Sequence, residues 1–341
     1  MAAFIGMPMT LTQLRALVAI ADAGLNVTQA AERVNGTQPG LSKQIKQLED
    51  ELGFLLFTRG ARSLEGVTPA GAKVIEHARL LLIQANNIKA LAANLRQVHD
   101  GELRIATSHT QARYALPPAL AAFNRQYPTV AVHLSPGTDA ESLAMLDRDE
   151  AELAVISSAG TQPPPGYLAL PLYRWDRIIV VMKDHPLARL AGPPTLAQLA
   201  QHPRVSYESS VDPESSLRQT FNSAGLALNL AMTARDADLI KTYVRAGFGV
   251  GVLAEMAQSA EDGDLVRIEA AGLLPQCTCW ALLRKDRILR DYTLSLLRRL
   301  LPWLHGNELQ RLLRGVQATA STPPPHWRER QTPSGMGEFE I

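Results

Sequence analysis

The sequence predicts an α/β protein with an α-rich, winged helix-turn-helix head, one long linking helix and two α/β lobes. Three observations carry this. Thr28 to Gly53 reads as helix, turn, helix; Ala72 to Val98 holds an apolar heptad run without a single Pro or Gly; and beyond Gly101 short apolar strands alternate with amphipathic helices. With 341 residues, 46% of them apolar and 20% charged, the chain has ample material for two or three domain cores.

Residues 1–8 carry no pattern and are expected to be dispensable. From Met9, the residues Leu11, Leu14, Leu17, Val18 and Ala21 form a helical stripe that stops near Gly24. Ala30, Ala31 and Val34 then place small apolar groups on one side of a short helix, and Asn35-Gly36 supplies a tight turn. Thr37 caps the next helix, and Pro39 falls in its first turn, where a missing N–H costs little. Leu41, Ile45, Leu48 and Leu52 face inward; the outer face carries polar side chains able to reach base edges or phosphates in a major groove. Polar helix faces are ordinarily only solvated, but the small-residue helix, the Asn-Gly turn and the short second helix together favour DNA. After Gly53, Phe54–Phe57 and Leu64–Val67 are predicted strands of a wing whose turn bears arginines. The candidate DNA contacts are Thr28, Thr37, Gln38, Pro39, Ser42, Lys43, Lys46 and Gln47, with Arg59 and Arg62 of the wing. Charge adds little: residues 1–66 hold six Lys/Arg against six Asp/Glu, and the whole chain is only +1.

Thr68-Pro69 opens the long helix. Val74, Ala78, Leu81, Ala85, Ile88, Ala92 and Leu95 repeat at four and three, a seam that supports helix pairing. This predicts dimerisation and hence binding to a twofold operator.

The domain reading is 9–67 for the winged head, 68–99 for the coiled-coil linker helix, and 100–306 for a ligand-binding part. Within the last, lobe I spans about 100–171 and 277–306, and lobe II about 172–276. The alternation of strands and helices predicts parallel sheets. Helices are expected over Ala112–Arg125 and Ile288–Leu304, among others. The Pro-, Ser- and Thr-rich tail 318–341 is expected to be disordered.

The stretch Ala106 to Tyr114 lies where a first strand ends and a helix begins, which is where open α/β sheets bind ligands. Its hydroxyl and amide side chains are suited to a carboxylate or sulfate. Ser157-Ser158, at the end of another strand, offers a second hydroxyl pair. Ordinary helix capping by Ser108 and Thr110 is the competing reading. No catalytic constellation emerges: there is no Gly-x-Ser-x-Gly elbow, no His-Glu-x-x-His and no Gly-x-x-x-x-Gly-Lys. Gly247-Phe-Gly-Val-Gly251 precedes a strand rather than following one, so it predicts close helix-strand packing and not a dinucleotide fingerprint. Cys277 and Cys279 would share one face of a strand as buried packing groups. The chain is thus expected not to be an enzyme and to hold neither a metal nor a cofactor. With no apolar run of about eighteen residues and no signal-peptide pattern at its start, it is placed in the cytoplasm, without membrane contact.

The order of these parts resembles the LysR-type transcriptional regulators over residues 9–306. Within them it is similar to the CysB-like branch, whose Thr-His-Thr-Gln-Ala-Arg-Tyr-Ala-Leu-Pro string reads here as Ser108 to Pro117 with Ser in the first place; Asp236–Arg245 and Gly249–Val252 also match closely. The resemblance implies lobes of periplasmic-binding-protein type. It further implies a homotetramer (a dimer of dimers) on double-stranded operator DNA, with RNA polymerase as a further partner and sulfur assimilation or cysteine biosynthesis as the regulated pathway. Sulfate, O-acetylserine or N-acetylserine is the implied effector, and the branch's contacts carry over onto Ser108, Thr110, Gln111, Ser157 and Trp175. One turn departs: where the branch has Thr-Gly-Arg-Ser, this chain has Asp212-Pro-Glu-Ser215. A regulator of another pathway with a non-sulfur effector and, in another class, a two-lobed solute-binding protein are the alternatives.

Overall fold

The computed structural model describes residues 9–60, 63–304, 307–316 and 322–330. It divides into two compact units, Met1–Val98 with Asp286–Arg290, and His99–Lys285 with Asp291–Ile341.

In the first unit, helices α1 (Leu11–Asp22), α2 (Val27–Arg33) and α3 (Gln38–Leu52) precede a two-stranded wing, β1 (Phe57–Arg59) and β2 (Leu64–Val67), and the long helix α4 (Pro69–Leu95). The predicted stripes meet in one core of Leu14, Leu17, Ile20, Ala30, Ala31, Leu41, Ile45 and Leu48. Caps mark the boundaries: Thr10 forms a capping box with Gln13, Thr37 Oγ1 accepts from Gly40 N, and Thr68 Oγ1 accepts from Gly71 N. Asn35 takes the left-handed conformation at φ 52°, as the turn requires. At Gly71 a Cβ would lie 2.1 Å from the Leu56 carbonyl oxygen, so only glycine lets α4 start this close to the wing.

The first wing strand begins three residues later than the apolar run Phe54–Phe57 implies. Phe54 and Leu55 are exposed, while Leu56 and Phe57 turn into the core. The buried carboxylate of Glu49 on α3 accepts from Leu56 N (2.8 Å) and Phe57 N (3.3 Å), which holds this segment out of the strand.

The heptad seam of α4 is divided. Ala78 is buried in the head's core and Val74 packs against it, whereas Leu81, Ile88 (70% exposed), Leu91 and Leu95 (76% exposed) form an open stripe at spacings of seven, three and four. Ala92 of the seam is exposed as well, next to Leu91. Asn87 and Asn94 hold the 286–290 segment instead, through Asp286 O (2.8 Å), Ile288 N (2.9 Å) and Leu289 O (2.9 Å).

The second unit contains two five-stranded sheets. Lobe I runs β3 (Gly101–Thr107), α5 (Pro117–Gln126), β4 (Val130–Pro136), α6 (Asp139–Asp147), β5 (Leu153–Ala159) and β6 (Leu168–Trp175). The chain then builds lobe II from β7 (Arg177–Met182), α7 (Leu196–Ala200), β8 (Arg204–Tyr207), α8 (Ser216–Ser223), β9 (Leu230–Ala234), α9 (Ala237–Arg245), β10 (Val250–Ala254) and β11 (Leu265–Glu269). It returns to lobe I with β12 (Cys277–Leu283) and α10 (Asp291–Leu300), followed by α11 (Glu308–Leu313) and α12 (Trp327–Arg330). The sheets are ordered β4-β3-β5-β12-β6 and β11-β7-β10-β8-β9.

Four expectations change here. The sheets are mixed: β12 is antiparallel to β5 and β6, and β7 to β10 and β11, because the returning strands enter each sheet from the other lobe. The crossing from lobe I falls at Asp176 and not at 171–172, since β6 continues to Trp175. The helix expected over Ala112–Arg125 is broken into a π-turn, Gln111–Ala115, and α5, which starts at Pro117 because proline is tolerated only in a first turn. The terminal helix begins at Asp291, not Ile288.

The predicted glycine packing is present. At Gly251 in β10 a Cβ would lie 2.5 Å from Val180 and 2.8 Å from Val244 of α9. Lobe II also buries Arg204 completely. Its guanidinium donates to the carbonyls of Leu199, Ala200 and Ala227 at 2.9–3.1 Å and to that of His202, and lies 4.9 Å above the Phe221 ring.

Candidate functional site

The candidate DNA face is carried by α2, α3 and the wing. Thr28, Thr37, Gln38, Pro39, Ser42, Lys43, Lys46 and Gln47 are all exposed, because the apolar residues at the complementary positions of α3 are consumed by the core. Gln38 Nε2 donates to Ser42 Oγ (3.3 Å), and among the described residues no carboxylate pairs with Lys43 or Lys46. Arg59 is different: its guanidinium is ion-paired to the buried Glu49 carboxylate, which bolts the wing to α3 and leaves this arginine only half free. Arg62 lies outside the described residues.

In the second unit, the predicted contacts converge at the carboxyl ends of β3 and β5. Gln111 Nε2 donates to Ser157 Oγ (3.2 Å), and the Trp175 indole N–H donates to the same oxygen (3.1 Å). Ser157 Oγ thereby accepts twice, and its hydroxyl also lies in hydrogen-bonding reach of the Cys279 thiol. Ser108 Oγ accepts from the backbone N of Gln111 (3.3 Å), the first residue of the π-turn, a local geometry often found at functional sites. Thr110 Oγ1 donates across to the Tyr207 hydroxyl of lobe II (3.2 Å). Ser158 departs from the expected pair. Side chains alternate along a strand, so Ser158 points to the opposite face, donating to Gln162 O and accepting from the Trp280 indole.

Four residues of this cluster carry no signal in the residue pattern. Tyr173 is buried on β6 and its hydroxyl donates to Gln111 Oε1. Arg177, the first residue of β7, lies with its guanidinium carbon 6.0 Å from the Trp175 ring and donates to Ser216 Oγ (2.8 Å) and Pro275 O (2.7 Å). Asp139, at the start of α6, accepts from Ser157 N, and burial pushes its carboxyl up to about 6. Tyr207 accepts from Ala254 N as well as from Thr110. Each of these lies far in sequence from Ser108–Gln111, and only sheet order brings them together.

Cys277 and Cys279 are buried on one face of β12, as their spacing predicts. Cys279 lies beside Tyr173 and Ser157, and burial pushes its thiol up to about 12, which keeps it protonated and unreactive at neutral pH.

A cavity of about 580 Å³ opens on the far side of Thr110, lined by His109, Arg113, Tyr114, Asp236, Asp238 and Thr242 among others. Asp238 closes one wall: it pairs with Arg113 (2.8 Å) and Lys241 (3.0 Å) and accepts from the Tyr114 hydroxyl (2.7 Å). Asp212 and Glu214, the residues of the departing turn, are exposed and held locally, Asp212 by Glu214 N (2.8 Å) and Glu214 by Gln219 Nε2 (3.0 Å).

A winged helix-turn-helix head and a two-lobed sheet domain with a polar cluster at its strand ends define a DNA-binding regulator with a ligand-sensing part. Residues 11–72 match the bacterial regulatory helix-turn-helix proteins of the lysR family, and residues 96–305 match the LysR substrate binding domain. The chain belongs to the LysR family of transcriptional regulators.

Among its relatives, the transcriptional regulator CysB of Haemophilus influenzae is 40% identical over 287 residues, covering 83% of this chain and 87% of that one. SsuR of Burkholderia cenocepacia is 36% identical over 307 residues, covering 90% and 99%. The crystal structure of the cofactor-binding domain of the Cbl regulator superposes with a TM-score of 0.57 at 32% identity, covering 63% of this chain and 93% of that one. A full-length OxyR from Pseudomonas aeruginosa, 23% identical with a TM-score of 0.64, covers 86% and 98% and shares the fold. No helix among the described residues is long and apolar enough to cross a membrane.

Proposed function

We propose that this chain controls sulfur-assimilation genes from the cytoplasm, and that its effector is a small amino acid of the O-acetylserine type. The carrying observation is the cluster Gln111–Ser157–Trp175, which has a cation, Arg177, on the Trp175 side and a carboxyl, Asp139, on the Ser157 backbone. Arg177 suits a ligand carboxylate, and the Ser157 hydroxyl, exchanging its Cys279 partner, suits an ester or carboxylate oxygen. Asp139 suits an ammonium, which would draw it into its charged form. O-acetylserine offers both charges, whereas sulfate and N-acetylserine offer only the anion. The relatedness to CysB and SsuR supports the pathway.

The chain senses its ligand and does not transform it. The buried, protonated Cys279 and the absence of a nucleophile-base pair in the cluster's described residues favour binding alone. The open stripe Leu81, Ile88, Leu91 and Leu95 of α4 is a dimerisation surface, and two such dimers form the tetramer that holds a twofold operator and meets RNA polymerase. Ligand between the lobes favours one lobe arrangement and so moves the paired heads on DNA.

A footprint of the full chain on a twofold operator, with and without O-acetylserine, tests this. The protected region changes if the proposal holds. If the footprint is the same with a ligand that demonstrably binds, the mechanism is wrong; if sulfate or N-acetylserine acts and O-acetylserine does not, the effector is wrong.

A further inference from the structure

We propose that the C-terminal segment 324–330 is an intramolecular strap, and that its Trp327 is a positioning residue that sets Gln111 through Tyr173. The segment lies in the tail expected to be disordered, yet its described part is built onto the lobes.

It docks first on the free edge of the lobe I sheet. Arg174 N donates to Pro325 O and Arg174 Nε to Pro324 O, both at 2.9 Å, in a parallel bridge beside β6. Two prolines suit this place, since the edge strand needs only their carbonyls. Trp327, 9% exposed, then covers Tyr173 with the ring centroids 5.1 Å apart, and the Arg330 guanidinium lies 4.5 Å from the same tyrosine ring. Tyr173 in turn donates its hydroxyl to Gln111 Oε1, and Gln111 reaches Ser157. The path from the strap to the cluster is therefore two side chains long.

The segment docks second on carboxylates of lobe II and of the crossing. His326 Nε2 lies 3.1 Å from Asp176 Oδ2 and 3.4 Å from Glu255 Oε1, while its Nδ1 accepts from Arg328 N. Arg328 Nε donates to Glu255 Oε2 (2.7 Å), and its other arm pairs with Glu269. The Glu255 side chain is 1% exposed, and the other cation near it among the described residues, Arg267, is 3.6 Å away. A carboxylate so buried is costly unless it is paired and hydrogen-bonded. Glu255 also accepts from Asp176 N (2.9 Å), and the strap's Arg328 guanidinium and His326 ring N–H complete these buried acids.

Asp176, Glu255 and His326 have ligand atoms within 4.8 Å of one another, a spacing that a metal could use. Because His326 Nδ1 accepts from Arg328 N, its Nε2 carries the ring proton and meets Asp176 and Glu255 as a donor rather than a ligand, while Arg328 and Arg267 take Glu255, so the protein's own donors close the cluster. The strap spans the β6 edge, the crossing at Asp176 and the acids of β11 and the turn after β10. It ties the two lobes where they must move if a ligand is to close them.

The inference rests on Gln111 being an effector contact, so its test has a readout that needs no ligand. Amide exchange of the peptide spanning 108–116 is measured on the full chain for wild type, Trp327→Ala, Trp327→Phe, Tyr173→Phe and the double variant Trp327→Ala/Tyr173→Phe. Trp327→Ala and Tyr173→Phe should each speed exchange about tenfold, the scale of one aromatic pair or one hydrogen bond, and the double should add nothing further. Trp327→Phe should retain protection. Additive effects, or a change confined to 168–175, would overturn the strap's positioning role and leave it as simple packing. If Trp327→Ala does not fold, Trp327→Leu takes its place in the cycle. Calorimetric titration with O-acetylserine is the second readout: affinity should fall about tenfold in both single variants, and an unchanged affinity overturns the inference. A wild-type chain that does not bind O-acetylserine refutes the effector proposed above, and the exchange cycle then decides the strap by itself.

Discussion

Glu49→Ala should damage the head more than any change on its DNA-facing surface, although Glu49 faces no DNA. Its side chain is 4% exposed and serves three donors: Leu56 N at 2.8 Å, Phe57 N at 3.3 Å and the Arg59 guanidinium. Alanine leaves two buried amides without this acceptor, at about 1–3 kcal/mol for the shorter and less for the longer bond. Loss of the ion pair to a half-exposed arginine adds about 0–1 kcal/mol. A total of about 3 kcal/mol in a head of this size lowers its melting temperature by about 12–24 °C. Glu49→Gln keeps an acceptor for the amides, loses only the charge and should cost about 1 kcal/mol. Differential scanning calorimetry of the full chain reads the head's transition, with the exposed Asp50→Ala as control. A Glu49→Ala head melting within about 2 °C of wild type would refute the reasoning that this carboxylate, rather than the strand pairing, holds the wing.

Lys43→Ala and Lys46→Ala should leave the fold intact and each lower the slope of log affinity against log salt by about 0.9 if each contacts a phosphate; anisotropy titrations with operator DNA at several salt concentrations measure it, and an unchanged slope removes that lysine from the interface. Asp139 titrates at about 6 in the folded chain against 3.8 unfolded. The folded state therefore holds the proton more tightly, and its stabilising contribution is complete below about 3.8 and lost as pH rises through about 6. Asp139→Asn should remove that pH dependence, raise stability near pH 8 by up to about 3 kcal/mol, and weaken O-acetylserine while sparing anion-only ligands; melting curves between pH 4 and 8 with and without ligand read both. Ile88→Asp with Leu95→Asp should halve the molecular mass seen by light scattering without lowering helicity, since both side chains are exposed on α4. An unchanged mass would show that this stripe is not the pairing surface.

What the sequence determined by itself is what depends on near neighbours. Caps at Thr37 and Thr68, the turn at Asn35-Gly36 and the stripe Leu41–Ile45–Leu48–Leu52 are set within a turn or two of chain, so helix positions and the exposed face of α3 were legible. So was the strand-end loop Ser108–Gln111, because its string of hydroxyls and amides is contiguous. What only tertiary structure decided is whatever joins distant segments. The register of β12 between β5 and β6 puts Cys279 beside Ser157 and Tyr173; the crossing at Asp176 sets Arg177 next to Trp175; and the fold of α3 onto the wing buries Glu49 among Leu56, Phe57 and Arg59. The heptad of α4 read as one seam, yet the core of the head claims its first members, Val74 and Ala78, since periodicity marks an apolar face without naming what covers it. The tail shows the same limit. Its composition predicts disorder because it cannot form a core of its own, but Trp327 and Arg328 need none when Tyr173 and the buried Glu255 wait at the edge of another.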